Sequence, residues 1–192
     1  MGNDDEKTSR RPRADSVQNR ARLLEAAAQI FSAGGPQASL EAVARQAGVG
    51  IGTLYRHFPT RELLFEAVYR NEVYHLGDFA VELAGTVDPV AALRTWLQAN
   101  VRLMATKRGM AEAFQHAAQA SSELKAYSSA RLTGAITMLL DRAVASGEIR
   151  SDILPEDLLR ALVGIFYAQG TGDWQPTALR LVDVFVDGLR KR

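Results

Sequence analysis

Thr53, Tyr55, Arg56 and His57, with Arg61 close behind, are the residues whose types and spacing could do chemistry. Their hydroxyl, guanidinium and imidazole groups suit phosphate oxygens and the edges of bases. Leu54 and Phe58 stand four residues apart, so on a helix they share one inward face and leave the remaining positions free to point out. The residues just before them explain how such a helix would be held. Val43, Ala44 and Ala47 repeat at helical spacing, and Ala44 is small where two helices must cross closely. Gly48 falls where a tight turn needs a left-handed backbone, and Val49 can plug the junction. Two short helices joined through a glycine are the layout of a helix-turn-helix, which sets its second helix in the major groove of DNA.

The elements that must position this unit read as helices throughout. Residues 1–14 are rich in Arg and Lys, contain Pro12 and show no apolar period, so they are expected to be a disordered basic arm. Asp15 or Ser16 caps a first helix with Leu23, Leu24, Ala27, Ile30 and Phe31 on one face, stopped by Gly34, Gly35 and Pro36. Ser39 caps the second helix, and Pro59 and Thr60 separate the third from a long fourth through Leu64, Val68, Leu76 and Leu83. Asp88 and Pro89 open a fifth, which bends at Lys107, Arg108 and Gly109. A short sixth carries Met110, Ala113, Phe114 and Ala117, and a long seventh begins at Ser121 and Ser122 and is ended by Gly147. Pro155 and Pro176 open the last two. No stretch keeps the alternation of a strand, so the expected fold is all-α, with about nine helices.

Composition bounds the rest. The chain has 192 residues, 47% of them hydrophobic, enough for one medium core or two small ones. It has no cysteine, which excludes a disulfide framework, a thiolate zinc site and a cysteine nucleophile. The net charge of +1 conceals an asymmetry: residues 7–61 hold nine Lys or Arg against three Asp or Glu. A basic N-terminal third on a nearly neutral body is the electrostatic footprint of a nucleic-acid-binding module. The acidic N-terminus is not expected to act as a signal peptide, and the longest apolar run, Ala161 to Ala168, is too short to span a bilayer. A cytoplasmic protein with no membrane partner is therefore expected.

Enzyme readings need a constellation, and none assembles. His57, His75 and His116 have no ligand spacing. Glu156 and Asp157 sit at a helix start, where they complement the dipole. The glycines from Gly48 to Gly52 follow an amphipathic helix instead of a strand, unlike a dinucleotide loop. No catalytic residue, cofactor or metal is expected.

The run Gly48-Val-Gly-Ile-Gly-Thr-Leu-Tyr-Arg-His-Phe58, followed by Arg61, resembles the signature of TetR/AcrR-family transcriptional regulators. In that family a Gly-Val-Ser-x-Gly-Thr-Leu-Tyr-x-His-Phe core precedes a Lys or Arg that opens the fourth helix. The likeness covers about residues 16–70. Gly50 departs from it, standing where a Ser usually caps the recognition helix. Ile51 also departs, favouring a thymine-methyl contact over a hydrogen bond. The resemblance implies a helix-turn-helix domain over residues 15–62 and a helical effector-binding and dimerisation domain over 63–192. The expected phosphate contacts are Tyr55, Arg61, His57 and Ser39, with Thr53 at a phosphate or a base. Arg45, Gly50, Ile51, Gly52 and Arg56 are expected near base edges or the flanking backbone. An arm such as Arg10, Arg11 and Arg13 can reach a neighbouring minor groove.

Such regulators mostly repress and are commonly released from double-stranded DNA by a small effector. The resemblance places a pocket among the fifth to eighth helices. Trp96, Met104, Met110, Phe114, Met138 and Phe166 are candidates for its apolar wall. Gln115, His116, Tyr127 and Gln169 are candidates for polar anchors. Few charges fall on these faces, so the effector is expected to be apolar or aromatic. The last two helices carry apolar stripes, Leu158, Leu162, Ile165 and Phe166 on one and Leu179, Val182, Phe185, Val186 and Leu189 on the other. They are expected to pair with their twofold mates in a homodimer, which implies a near-palindromic operator. The rival readings are an activator, or a small-molecule-binding helical module whose DNA-binding motif is vestigial.

Overall fold

A computed structural model describes residues 5–34, 39–86, 88–109, 122–167 and 174–191. The described residues form eight α-helices: α1 Asp5–Gly34, α2 Leu40–Gln46, α3 Ile51–His57, α4 Arg61–Ala84 and α5 Pro89–Gly109, then α6 Ser122–Ala145, α7 Pro155–Tyr167 and α8 Gln175–Gly188. Among them the β-structure is one isolated antiparallel bridge, Ile149 to Arg190. The fold is all-helical. The short helix expected through Met110 and Phe114 lies outside the described residues.

Side chains before the helices fix where three of them start. Ser39 Oγ accepts from the Ala42 N–H (3.1 Å), Thr60 Oγ1 from the Leu63 N–H (3.2 Å) and Asp88 Oδ1 from the Ala91 N–H (2.8 Å). Each satisfies a donor that the helix leaves open, worth about 1 kcal/mol. Two boundaries correct the sequence reading. Helix α1 reaches back to Asp5, not to a cap at Asp15 or Ser16, so part of the expected arm is helical. Glu6, Lys7, Arg10, Arg11 and Arg13 are good helix formers, and extending an existing helix is far easier than nucleating one. The helix therefore continues although Pro12 costs it about 3 kcal/mol. Helix α5 runs straight through Lys107 and Arg108 to Gly109, where a bend was expected. Two cations in a last turn complement the helix dipole, and Lys107 Nζ lies 6.0 Å from the centre of the Tyr69 ring.

The chain divides into two compact units, one of Met1–Tyr69 with Thr106–Gln119, the other of Arg70–Ala105 with Ala120–Arg192. Helix α4 is a single helix whose residues belong to both. In the first unit α1 packs on α2 and α2 on α3. Its core is built from Leu23, Leu24, Ala27 and Phe31 of α1, Val43 and Ala44 of α2, and Leu54, Leu64 and Phe65 beyond them. Phe31 and Phe65 meet edge to face with centroids 4.6 Å apart. In the second unit the fully buried Trp96 donates its indole N–H to the Leu76 carbonyl (2.8 Å), tying α5 to α4. Arg94 of α5 reaches Asp183 (3.0 Å) and Asp187 of α8, and Gln98 donates to Asp183 (2.7 Å). Beyond α8, the Arg150 N–H bonds to the Leu189 carbonyl (3.0 Å) and the Lys191 N–H to that of Glu148 (2.9 Å), which anchors the end of the chain.

Candidate nucleic-acid interface

The turn between α2 and α3 decides which way α3 faces. Gly48 has φ +66°, the left-handed region that a Cβ resists. Its N–H bonds to the Arg45 carbonyl (3.1 Å) and the Val49 N–H to that of Ala44 (3.0 Å), closing the end of α2. Gly50 then precedes α3 in extended conformation, and its carbonyl accepts from Thr53 (2.9 Å) and Leu54 (3.2 Å). It supplies no side-chain cap, as its lack of a hydroxyl requires.

With α3 so placed, Leu54 is fully buried and Phe58 nearly so, and the rest of the helix is presented outward. Gly52, Arg56, Ile51 and Tyr55 are exposed, the last two by 39% and 46%, while Thr53 and His57 are half-buried. The exposed Ser39 sits at the head of α2, and Arg45 is exposed in its last turn. Arg45 and Arg56 form no ion pair with any described residue. These are donors and one apolar side chain on open surface, the mixture that reads phosphates and bases.

Arg61 is held differently. Its guanidinium lies 5.0 Å from the centre of the Phe65 ring and 6.0 Å from that of Phe31, and the residue is half-buried. A guanidinium resting on rings is oriented by them, so the contact fixes where this charge sits. The sequence reading missed this aromatic seat. The i, i+4 spacing of Arg61 and Phe65 was the signal that could have revealed it.

The residues considered for an effector are dispersed among different contacts. Trp96 is fully buried in its contact with Leu76. Phe166 is buried and meets Trp174 edge to face at 6.1 Å. Tyr127 is half-buried, with the Arg70 guanidinium 5.1 Å above its ring. Met104 is half-buried, and Met138 is 39% exposed. Met110, Phe114, Gln115, His116 and Gln169 lie outside the described residues.

The apolar stripes of α7 and α8 divide between the core and the surface. Leu158, Leu162 and Phe166, with Val182, Val186 and Leu189, are buried within the chain itself, Val182 and Val186 completely. A side chain with no accessible surface has none to give to a partner. An i, i+3, i+4, i+7 stripe marks a core as readily as an interface. Ile165 and Phe185 are half-buried and Leu179 is 37% exposed. The apolar side chains open to solvent here are instead Val163 and Tyr167 on α7 and Leu181 and Val184 on α8, beside Leu179.

Two family models match this chain. That of bacterial regulatory proteins, tetR family, matches residues 23–68, and that of the SbtR-like transcriptional regulator C-terminal domain matches residues 88–191. Among solved structures the chain is similar to the TetR transcriptional regulator SCO0520 from Streptomyces coelicolor. The two are 44% identical, over 89% of this chain and 98% of that one, with a TM-score of 0.79. A TetR transcription regulatory protein from Mycobacterium vanbaalenii is 32% identical, over 93% of this chain and 99% of its own, with a TM-score of 0.71. LfrR from Mycobacterium smegmatis, solved in complex with proflavine, shares the fold at 20% identity, over 87% of this chain and 95% of its own, with a TM-score of 0.61. The chain spans about half the length of the curated relatives it matches, from 33% of one to 58% of another.

Proposed function

We propose, because this chain belongs to the TetR family of DNA-binding transcriptional regulators, that it represses transcription from a near-palindromic operator and leaves it when a small apolar or aromatic effector binds. The family is not one of enzymes. The observation that carries the DNA half of the reading is the outward face of α3. Tyr55, Arg56 and Ile51 are exposed, and a Cβ built at Gly50 or Gly52 meets no atom within 4 Å. That open surface lets a phosphate backbone approach closely. In this reading Tyr55 and Arg61 hold phosphates, Ser39 and His57 add to them, and Thr53 touches a phosphate or a base. Ile51 rests on a thymine methyl, while Arg45 and Arg56 reach base edges or the flanking backbone.

The homodimer of this reading forms through the solvent-facing apolar side chains of α7 and α8, Val163, Tyr167, Leu179, Leu181 and Val184. Its twofold axis relates two recognition helices and so sets the spacing of the half-sites. Release needs an effector that binds better to the form with mis-spaced recognition helices than to the DNA-bound form. A difference of about 1–3 kcal/mol gives the usual 5- to 150-fold coupling. Helix α4, continuous from the first unit into the second, is the route by which that difference reaches the DNA-binding part. The site of action is the cytoplasm, and no described helix is long and apolar enough to cross a membrane.

Selection of bound sequences from random DNA tests the reading. The expected outcome is enrichment of one near-palindromic site. Failure to enrich any sequence over the starting pool would count against it.

A further inference from the structure

Two arginines of α1 lie against the two ends of α3. Arg20 Cζ is 5.3 Å from the centre of the Phe58 ring, and Phe58 is the C-cap of α3. Arg22 reaches towards the other end: its Nη1 would be 3.6 Å from a Cβ built at Gly48, in the turn that leads into α3. Both residues are exposed, and neither forms an ion pair with any described residue. Arg22 donates one N–H to Asn19 Oδ1, while Arg20 is held by a ring face that accepts none of its donors in a conventional hydrogen bond. Each guanidinium is thus oriented by a neighbour and keeps most of its five donors and its whole charge.

We propose that Arg20 and Arg22 bind DNA phosphates at either end of the recognition helix, extending the protein's grip on the backbone to α1. The inference rests on the reading of α3 as the recognition helix. The major groove that admits a recognition helix is walled by phosphates on both sides, so exposed cationic groups beside such a helix are within reach of the backbone. A contact of this kind adds affinity for every sequence alike and shows itself as salt dependence.

The test uses the full chain and a duplex of mixed sequence, with affinity followed by fluorescence anisotropy across a salt series. Arg20→Met and Arg22→Met keep an unbranched stem against Phe58 and the Gly48 turn but remove the charge. Each is expected to lower the slope of log affinity against log salt by about 0.9 for every phosphate left unneutralised, and by twice that in a dimer with both copies bound. Arg20→Lys and Arg22→Lys are expected to restore most of the slope. A fall in melting temperature with an unchanged slope would make both arginines packing residues and overturn the proposal. Tyr55→Phe, measured on the same duplex, separates the two levels of the argument. A lowered affinity in Tyr55→Phe beside wild-type slopes in both Met variants overturns this proposal alone. Wild-type protein without salt-dependent binding to the duplex would overturn the DNA-contact reading and this one with it.

Discussion

Arg131 of α6 crosses α4 directly over Gly77, so closely that a Cβ at residue 77 would overlap its Nε and stand 3.0 Å from its Cγ and Cζ. The guanidinium goes on to Asp78 and lies 5.0 Å from the centre of the Tyr74 ring. One turn earlier the roles are exchanged, with Arg70 of α4 above Tyr127 of α6 at 5.1 Å. The spacing is four residues on both helices, so the two cation–π pairs fix the register of α4 on α6.

The glycine is therefore needed for its missing side chain rather than for its backbone. In the wild-type background Gly77→Ala is expected to cost about 1–3 kcal/mol, because Arg131 must leave its groove. In an Arg131→Ala background the same substitution should stabilise by about 0.5–1 kcal/mol, the usual gain of Ala over Gly inside a helix. Urea denaturation of the four proteins measures the cycle. Equal effects of Gly77→Ala in both backgrounds would remove Arg131 as the cause.

At Gly48 the reverse holds. The nearest atom to an added Cβ is 3.6 Å away, which is ordinary contact, but φ is +66°. Gly48→Ala is expected to lose about 1–2 kcal/mol from backbone strain alone. Gly48→Asn should lose less, since Asn tolerates this region. Chemical denaturation checks the order, and an Asn variant less stable than the Ala variant would contradict it.

Gly50 offers a gain. Its backbone is extended, a Cβ there meets nothing within 4 Å, and α3 lacks a side-chain cap. Gly50→Ser should stabilise the protein by a few tenths of a kcal/mol, seen as a small rise in melting temperature. A lower melting temperature would show that the hydroxyl cannot reach the open N–H groups of α3.

Burial separates the two kinds of apolar residue on α8. Val184 is 69% exposed and Val182 is fully buried. Val184→Asp is expected to leave the melting temperature of the monomer nearly unchanged while shifting sedimentation from dimer towards monomer. Val182→Asp should unfold the chain, because an unpaired carboxylate would be buried in the core. Val184→Asp protein that sediments as wild type would move the dimer surface elsewhere.

These residues also show how far the sequence could be read. The caps at Ser39, Thr60 and Asp88 and the turn at Gly48 were legible because local chemistry decides them. The stripe through Val182 and Val186 was legible as apolar but not as inward or outward, since periodicity gives a face without naming what covers it. Arg61 illustrates another limit. Its charge was visible in the sequence, whereas its seat on Phe31 depends on two helices meeting in space. The helical residues before Asp15 were missed because an apolar period reports packing, and a helix can be propagated without it.

Affinity for the selected duplex, measured against salt concentration, bears most directly on the face of α3. Tyr55→Phe and Arg61→Ala should each weaken binding to all sequences alike. Arg61→Ala, which removes a charge, should also flatten the slope by about 0.9 for each phosphate no longer neutralised, whereas Tyr55→Phe, which removes a neutral hydroxyl, should leave it unchanged. Ile51→Ala should leave the slope intact and relax preference at one base pair by about 1–3 kcal/mol. Wild-type affinity in both Tyr55→Phe and Arg61→Ala, with a wild-type slope in Arg61→Ala, in protein that remains folded, would contradict the assignment of this face to DNA.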